Sequence, residues 1–229
     1  MEVVRQNIER LKLRVKEAAE KAGRRPEDIK IVAVTKTVLP ETIQVAVDCG
    51  LKILGENRVQ EAQRKIELVK GDVSWHMIGH LQKNKVKYAV KLFSMIQSVD
   101  SYELAVEIDK RAGKIGKVMD VLVQVNIGKE DTKFGAEYED TPELIKKISE
   151  LENIRVKGLM AIAPFKEDPE DVRPFFRKMR ELFSELKSLH LKNVDMEILS
   201  MGMTHDFHVA IEEGANMIRI GSGIFGPRV

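Results

Sequence analysis

Ile29-Lys30-Ile31-Val32-Ala33-Val34-Thr35-Lys36 opens the stretch that decides the fold. The apolar run over 29–35 is followed by a helical pattern over 41–48, a glycine at Gly50 where that helix should stop, and a second run over 52–54. Strand, helix and strand in this order form the crossover unit of a parallel sheet. The alternation continues along the chain, with further runs at 73–78, 92–96, 118–125, 156–162, 196–199 and 217–220, eight candidate strands in all. Helical stretches near 57–69, 82–90, 101–113, 142–151, 174–189 and 205–213 separate them.

Upstream of residue 29, residues 3–22 carry Val4, Ile8, Leu11, Val15, Ala18 and Ala22 at spacings of 4, 3, 4, 3 and 4, one apolar stripe of a helix. Gly23 and Pro26 end it. Thr141-Pro142-Glu143 predicts an N-cap at Thr141, and Gly113 and Gly214 mark helix ends. A fresh helix start near Pro174 keeps that proline out of a helix interior.

Eight such strands in 229 residues predict a single-domain α/β fold over 1–229, a (β/α)8 TIM barrel. An open doubly wound sheet is the alternative, because the runs at 52–54 and 196–199 are short. No outer helix pattern follows 217–220, so the extra N-terminal helix is expected to take the vacant place around the barrel.

Charge narrows the function classes. Lys and Arg number 38 against 36 Asp and Glu, a net charge of 38 − 36 = +2, which disfavours a protein built to coat nucleic acid. The one cysteine, Cys49, excludes an internal disulfide framework and any multi-cysteine metal site. No apolar run nears the roughly 18 residues of a membrane span, and the first residues lack the apolar core of a signal peptide. A cytoplasmic protein is expected. His205 and His208 stand three apart without a His-Glu-x-x-His motif, so no metal site is expected. Lys83, Lys85, Lys87 and Lys91 read as a solvated helix face.

Chemistry in a barrel sits at the C-terminal ends of the strands. Lys36 ends the first run, where loss of hydration favours the free amine that condenses with an aldehyde. At the last two strands, Ser200 and Thr204 offer hydroxyls around Gly202, and Gly221-Ser222-Gly223 offers close backbone donors to an anion. Thr204 is also the expected N-cap of the following helix, with Asp206 pointing outward to support the helix dipole. Arg219, within the last strand, faces either the lumen or the outer helices. Asn57 reads as a helix cap or a ligand contact, His76 as an internal hydrogen-bonding residue, and His80 has the better claim to the mouth. Asn126 and Met160, at strand ends, are further lining candidates.

A strand-end lysine facing a phosphate cradle fits pyridoxal 5′-phosphate. With Arg219 at the pyridine nitrogen, that nitrogen stays unprotonated and the cofactor is a weak electron sink. Ala33-Val34-Thr35-Lys36, Gly55-Glu56-Asn57, Trp75-His76-Met77-Ile78-Gly79-His80-Leu81-Gln82, Gly158-Leu159-Met160, Leu199-Ser200-Met201-Gly202-Met203 and Arg219-Ile220-Gly221 together carry a family resemblance. The chain resembles, over essentially its whole length, the pyridoxal phosphate homeostasis proteins (the YggS/PROSC family), relatives of the N-terminal barrel domain of alanine racemase.

The resemblance implies a vitamin B6 homeostasis protein that holds the cofactor as a Schiff base on Lys36 without strong catalytic activity; a single domain in the sequence leads to the expectation of a monomer. The resemblance also implies Arg219 at the ring nitrogen and Ser200, Thr204, Gly221 and Ser222 around the phosphate; Asn57 and His80, from their places in the loops, are expected as cofactor contacts or supports. Thr204 stands where a serine is common, and keeps the hydroxyl. B6-dependent apo-enzymes are the implied recipients. The alternative is a racemase or weak lyase, which needs acid–base groups on both faces of the cofactor; Tyr88, Tyr102 and Tyr138 offer no clear second group. An aldolase-like barrel forming an imine with a sugar phosphate is a further option, but Lys36 has no carboxylate close in sequence.

Overall fold

The computed structural model describes residues 1–128 and 134–227. α1 (Glu2–Lys21) leads into β1 (Lys30–Val34), α2 (Pro40–Asp48), β2 (Ile53–Glu56), α3 (Val59–Ile66), β3 (Ser74–Met77), α4 (Val86–Leu92) and β4 (Met95–Val99). Next come α5 (Tyr102–Gly113), β5 (Met119–Asn126), β6 (Ala136–Glu137), α6 (Thr141–Ser149), β7 (Ile154–Ala161) and α7 (Arg173–Ser188). The last elements are β8 (Val194–Ser200), α8 (Phe207–Glu212), β9 (Met217–Ile220) and the single turn α9 (Ser222–Phe225).

All strand pairings are parallel, in the order β4-β3-β2-β1-β9-β8-β7-β5, and β4 pairs with β5 to close the ring. Eight strands therefore make a closed barrel, and the open-sheet alternative is excluded. The two-residue β6, which no apolar run announced, lies beside β5.

Two apolar layers hold the ring. Val32, Ile78, Met95, Leu122, Met160, Ile198 and Met217 cluster in the lumen, while Ile43, Phe93, Ile108, Phe176 and Phe207 fill the layer between sheet and helices. α1 lays its stripe of Val4, Ile8, Leu11, Val15 and Ala18 into that outer layer. It packs against α2, α8 and α9, the place expected for it. Each large aliphatic so buried contributes about 1.5–3 kcal/mol. Asn7 of α1 also donates through Nδ2 to the Ile224 carbonyl at 3.0 Å.

Several local readings need correction. β4 starts three residues beyond the expected 92 and includes Gln97 and Ser98, both wholly buried. The cap of α6 is Asp140, and Thr141 turns its hydroxyl back to the Glu137 carbonyl at 2.8 Å. Gly113 does end α5, as expected, and also serves close packing, since a Cβ there would meet Asn153 Nδ2 at 2.8 Å. The fresh start near Pro174 is present: a short 3₁₀ turn (Pro169–Val172) precedes α7.

Candidate functional site

Lys36 sits half-buried just past β1, in a turn closed by the Val38 amide donating to the Thr35 carbonyl at 3.0 Å. Thr37, third in that turn, has φ +63°. The third position of a type II turn requires positive φ and normally takes glycine or asparagine. What holds a β-branched residue there is its amide donating to Glu61 Oε1. On the other side of Lys36, Thr35 donates through its hydroxyl to Glu56 Oε1 at 2.7 Å. Burial raises the Glu56 carboxyl above its ordinary range, against the lowering pull of Lys65 and Thr35.

β9 lies directly beside β1, with Ala33 opposite Ile220. Lys36 and Gly221 therefore leave the same rim from neighbouring strands, whose backbones run roughly 4.8 Å apart. Gly221 caps α9, and the Ile224 and Phe225 amides donate to its carbonyl, each at 3.0 Å. Across the loop, Thr204 Oγ1 accepts from the Gly223 amide at 3.2 Å and from the Ser222 hydroxyl at 3.3 Å. Thr204 is thus tied to the glycine turn and is not a helix cap; Asp206 caps α8. Asp206 is buried, contrary to the outward placement expected, and accepts from the Met203 amide at 2.6 Å.

Arg219 faces the lumen and is only 4% exposed. Its Nη1 donates to Ser200 Oγ at 2.7 Å and its Nη2 to the Ala161 carbonyl at 2.7 Å, so the guanidinium spans the last residues of β8 and β7. Burial lowers its pKa to about 10, partly offset by Asp206. Ser200 passes its own proton to Gln97 Oε1 at 2.7 Å, and Gln97 Nε2 lies 2.9 Å from His76 Nδ1. Ser200 is therefore part of a buried chain that pins Arg219.

Asn57 and His80 do meet. They line a cavity of about 270 Å³ with Gln124, Asn126 and Phe134. His80 stacks on Phe134 at 3.8 Å between ring centres, and its Nδ1 lies 3.6 Å from Asp100 Oδ2. Asn57 is not the helix cap, which is Arg58. Its Oδ1 is buried and has no hydrogen-bond partner among the described residues. Gly79 permits this closeness, because a Cβ there would lie 2.5 Å from the Asn57 carbonyl oxygen. Met160, expected at the mouth, is wholly buried in the lumen instead.

Two further clefts adjoin the rim. One of about 860 Å³ carries Thr37, Arg58, Glu61, Arg64 and Lys85, and shares Asn57 and His80 with the mouth. The other, about 240 Å³, sets Arg10 and Arg14 of α1 opposite Thr204, Ser222 and Gly223. Sequence reasoning missed Glu56, Glu61, Lys65 and Gln97. For Glu56 and Gln97 the available signal was a polar residue close behind an apolar run, where solvated side chains do not belong; Glu61 and Lys65 lie in the helical stretch 57–69 and carried no such signal. No group of three or more metal-ligating side chains occurs among the described residues, and no helix there is long and apolar enough to cross a membrane.

Comparisons with known proteins agree in one direction. The family model for the alanine racemase N-terminal domain matches residues 6–229. The chain is 50% identical over 224 residues to the pyridoxal phosphate homeostasis protein of Aquifex aeolicus, covering 97% of each. It is 36% identical to the protein of the same name in Escherichia coli K12, covering 100% of this chain and 98% of that one. Its fold is similar to PipY of Synechococcus elongatus, solved with PLP bound, at a TM-score of 0.81 and 34% identity over 93% of this chain and 100% of that one.

Proposed function

We propose, from the premise that this chain belongs to the pyridoxal phosphate homeostasis (YggS/PROSC) family, that it binds pyridoxal 5′-phosphate and serves homeostasis of that cofactor. It is a carrier of the cofactor, not a catalyst built around it. The observation that carries the site assignment is the β1–β9 register, which sends Lys36 and Gly221 out of one rim on adjacent strands.

The residues present fit the cofactor. A rim amine, a glycine turn with two hydroxyls, a lumen guanidinium and the Asn57 Oδ1, which has no partner among the described residues, supply donors and acceptors for an aldehyde, a phosphate and a polar ring. When bound, the cofactor supplies an aldehyde that condenses with a primary amine. Lys36 is the residue we assign to that attachment. Thr204, Gly221 and Ser222 take the phosphate, and Arg10 and Arg14 add positive charge to the cleft that Thr204 and Ser222 line. Arg219, held by Ser200 and Ala161, keeps a fixed cationic donor for the ring nitrogen, so Ser200 acts through Arg219. Asn57 and His80 bound the mouth.

A fixed cationic donor would occupy that nitrogen's lone pair and disfavour its protonation, which weakens carbanion stabilisation. None of Tyr88, Tyr102 and Tyr138 lines the mouth cavity, so a racemase-type acid–base pair on two faces has no tyrosine member there. We extend the reading to a cytoplasmic monomer that delivers the cofactor to B6-dependent apo-enzymes.

The test uses the absorbance band of cofactor bound covalently to protein. The wild type is expected to show it and Lys36→Ala to lose it. Solvent deuterium at the α-carbon of added amino acids is expected to stay at background; rapid exchange with turnover would replace the carrier by an enzyme.

A further inference from the structure

We propose that Lys65 is a positioning residue for Lys36, using Glu56 and Glu61 to fix the turn from which that amine extends. The proposal rests on the assignment of Lys36 as the attachment residue. Lys65 comes from α3, yet its ammonium reaches β1 and spends its donors on three partners. These are the Thr35 carbonyl at 2.7 Å, Glu56 Oε1 at 2.8 Å and Glu61 Oε1 at 2.6 Å.

Each partner leads back to a residue flanking Lys36. Glu56 Oε1 also takes the Thr35 hydroxyl, and Glu61 Oε1 also takes the Thr37 amide. Thr35 and Thr37 are thus both bound into one ionic cluster, on either side of the lysine. The inner half of the cluster is shut off from water, the Lys65 side chain being 8% exposed and Glu56 fully buried, while Glu61 is partly exposed. Glu56 Oε2 even lacks a partner among the described residues.

Stability alone does not account for this arrangement. A buried ion pair is often no better than well-packed apolar residues, and an orphaned carboxylate oxygen adds a cost. What the ions provide that apolar packing does not is direction. They hold Thr37 at positive φ without glycine, which fixes the backbone turn from which the Lys36 side chain leaves. The Gly55-Glu56-Asn57 motif acquires a division of labour: Glu56 braces the lysine turn, and Asn57 faces the mouth.

Three variants test it in full-length protein: Lys65→Met, Lys65→Arg and Glu61→Ala. The last removes the acceptor of the Thr37 amide from a partly exposed site and leaves the Lys65–Glu56 pair in place. Two quantities are read. Hydrogen exchange at the Thr37 amide is followed without cofactor, and the equilibrium constant for covalent cofactor attachment is followed by absorbance.

Lys65→Met and Glu61→Ala are expected to speed Thr37 exchange about tenfold or more and to weaken attachment roughly tenfold. Lys65→Arg is expected to recover most of both, because it keeps the charge and the donors. Should Lys65→Met not fold, Glu61→Ala carries the test. Wild-type attachment in Glu61→Ala despite fast Thr37 exchange overturns the positioning role. Absence of attachment at Lys36 in the unaltered protein overturns the site assignment instead, a result separable from the first.

Discussion

His76, Gln97, Ser200 and Arg219 form a line of polar side chains through an otherwise apolar lumen, each buried and each bonded to the next. The order of the line assigns protons: Arg219 donates to Ser200, and Ser200 donates to Gln97. The amide nitrogen of Gln97 then faces His76 Nδ1, which accepts only as the neutral ring. Desolvation, with a smaller contribution from Lys30, lowers the His76 pKa to about 4 from 6.5. The unfolded chain therefore takes up a proton between about pH 6.5 and 4 that the folded protein refuses. Stability is full above 6.5 and falls as the pH drops through this window. The shift of 6.5 − 4, about 2.5 units, corresponds to roughly 3 kcal/mol. Urea titrations across this range should show that decline, and His76→Gln should flatten it; an unchanged slope would refute the neutral-ring assignment. The internal character of His76 was legible in the sequence, since it sits inside an apolar run. The use of Ser200 was not. A strand-end hydroxyl beside a glycine turn suits an anion equally well, and only the lumen partner on β4, 103 residues away, decides.

Among the elements, β7 shows what patterning can and cannot convey. Its apolar residues marked a strand, and Gly158-Leu159-Met160 stood out without a physical reason. The reason lies in the pairing with β8, whose register slips between Val156 and Gly158. Gly158 adopts φ +145°, and a Cβ there would sit 1.8 Å from the Ile198 carbonyl oxygen. No side-chain movement relieves a clash with backbone. Gly158→Ala should therefore cost more than about 3 kcal/mol or prevent folding, as read by denaturant midpoint. A loss below about 1 kcal/mol would mean that the slip is not obligatory. β4 illustrates the opposite failure. The expected strand ended at 96 because Gln97 and Ser98 look like surface, whereas both are wholly buried and Gln97 serves the polar line of the lumen. Polar residues recruited to a barrel interior erase the periodicity by which a strand is recognised.

At the level of the molecule, the eight-strand count and the role of α1 were both readable, because each depends on apolar spacing within short segments. Closure itself depends on the β4–β5 pairing and required the three-dimensional structure. That closure gives the protein its rim. It brings residues from β1, β2, β3 and β9, dispersed from Lys36 to Ser222, around one opening. The account stands or falls on a single small molecule bridging the β1 turn and the β9 turn. A crystal structure of the protein soaked with pyridoxal 5′-phosphate tests this directly. The account predicts continuous density from Lys36 Nζ to a phosphate at Thr204, Gly221 and Ser222, with Arg219 beside the ring nitrogen. Density joined to another lysine, or a phosphate seated away from the Gly221 turn, would contradict it.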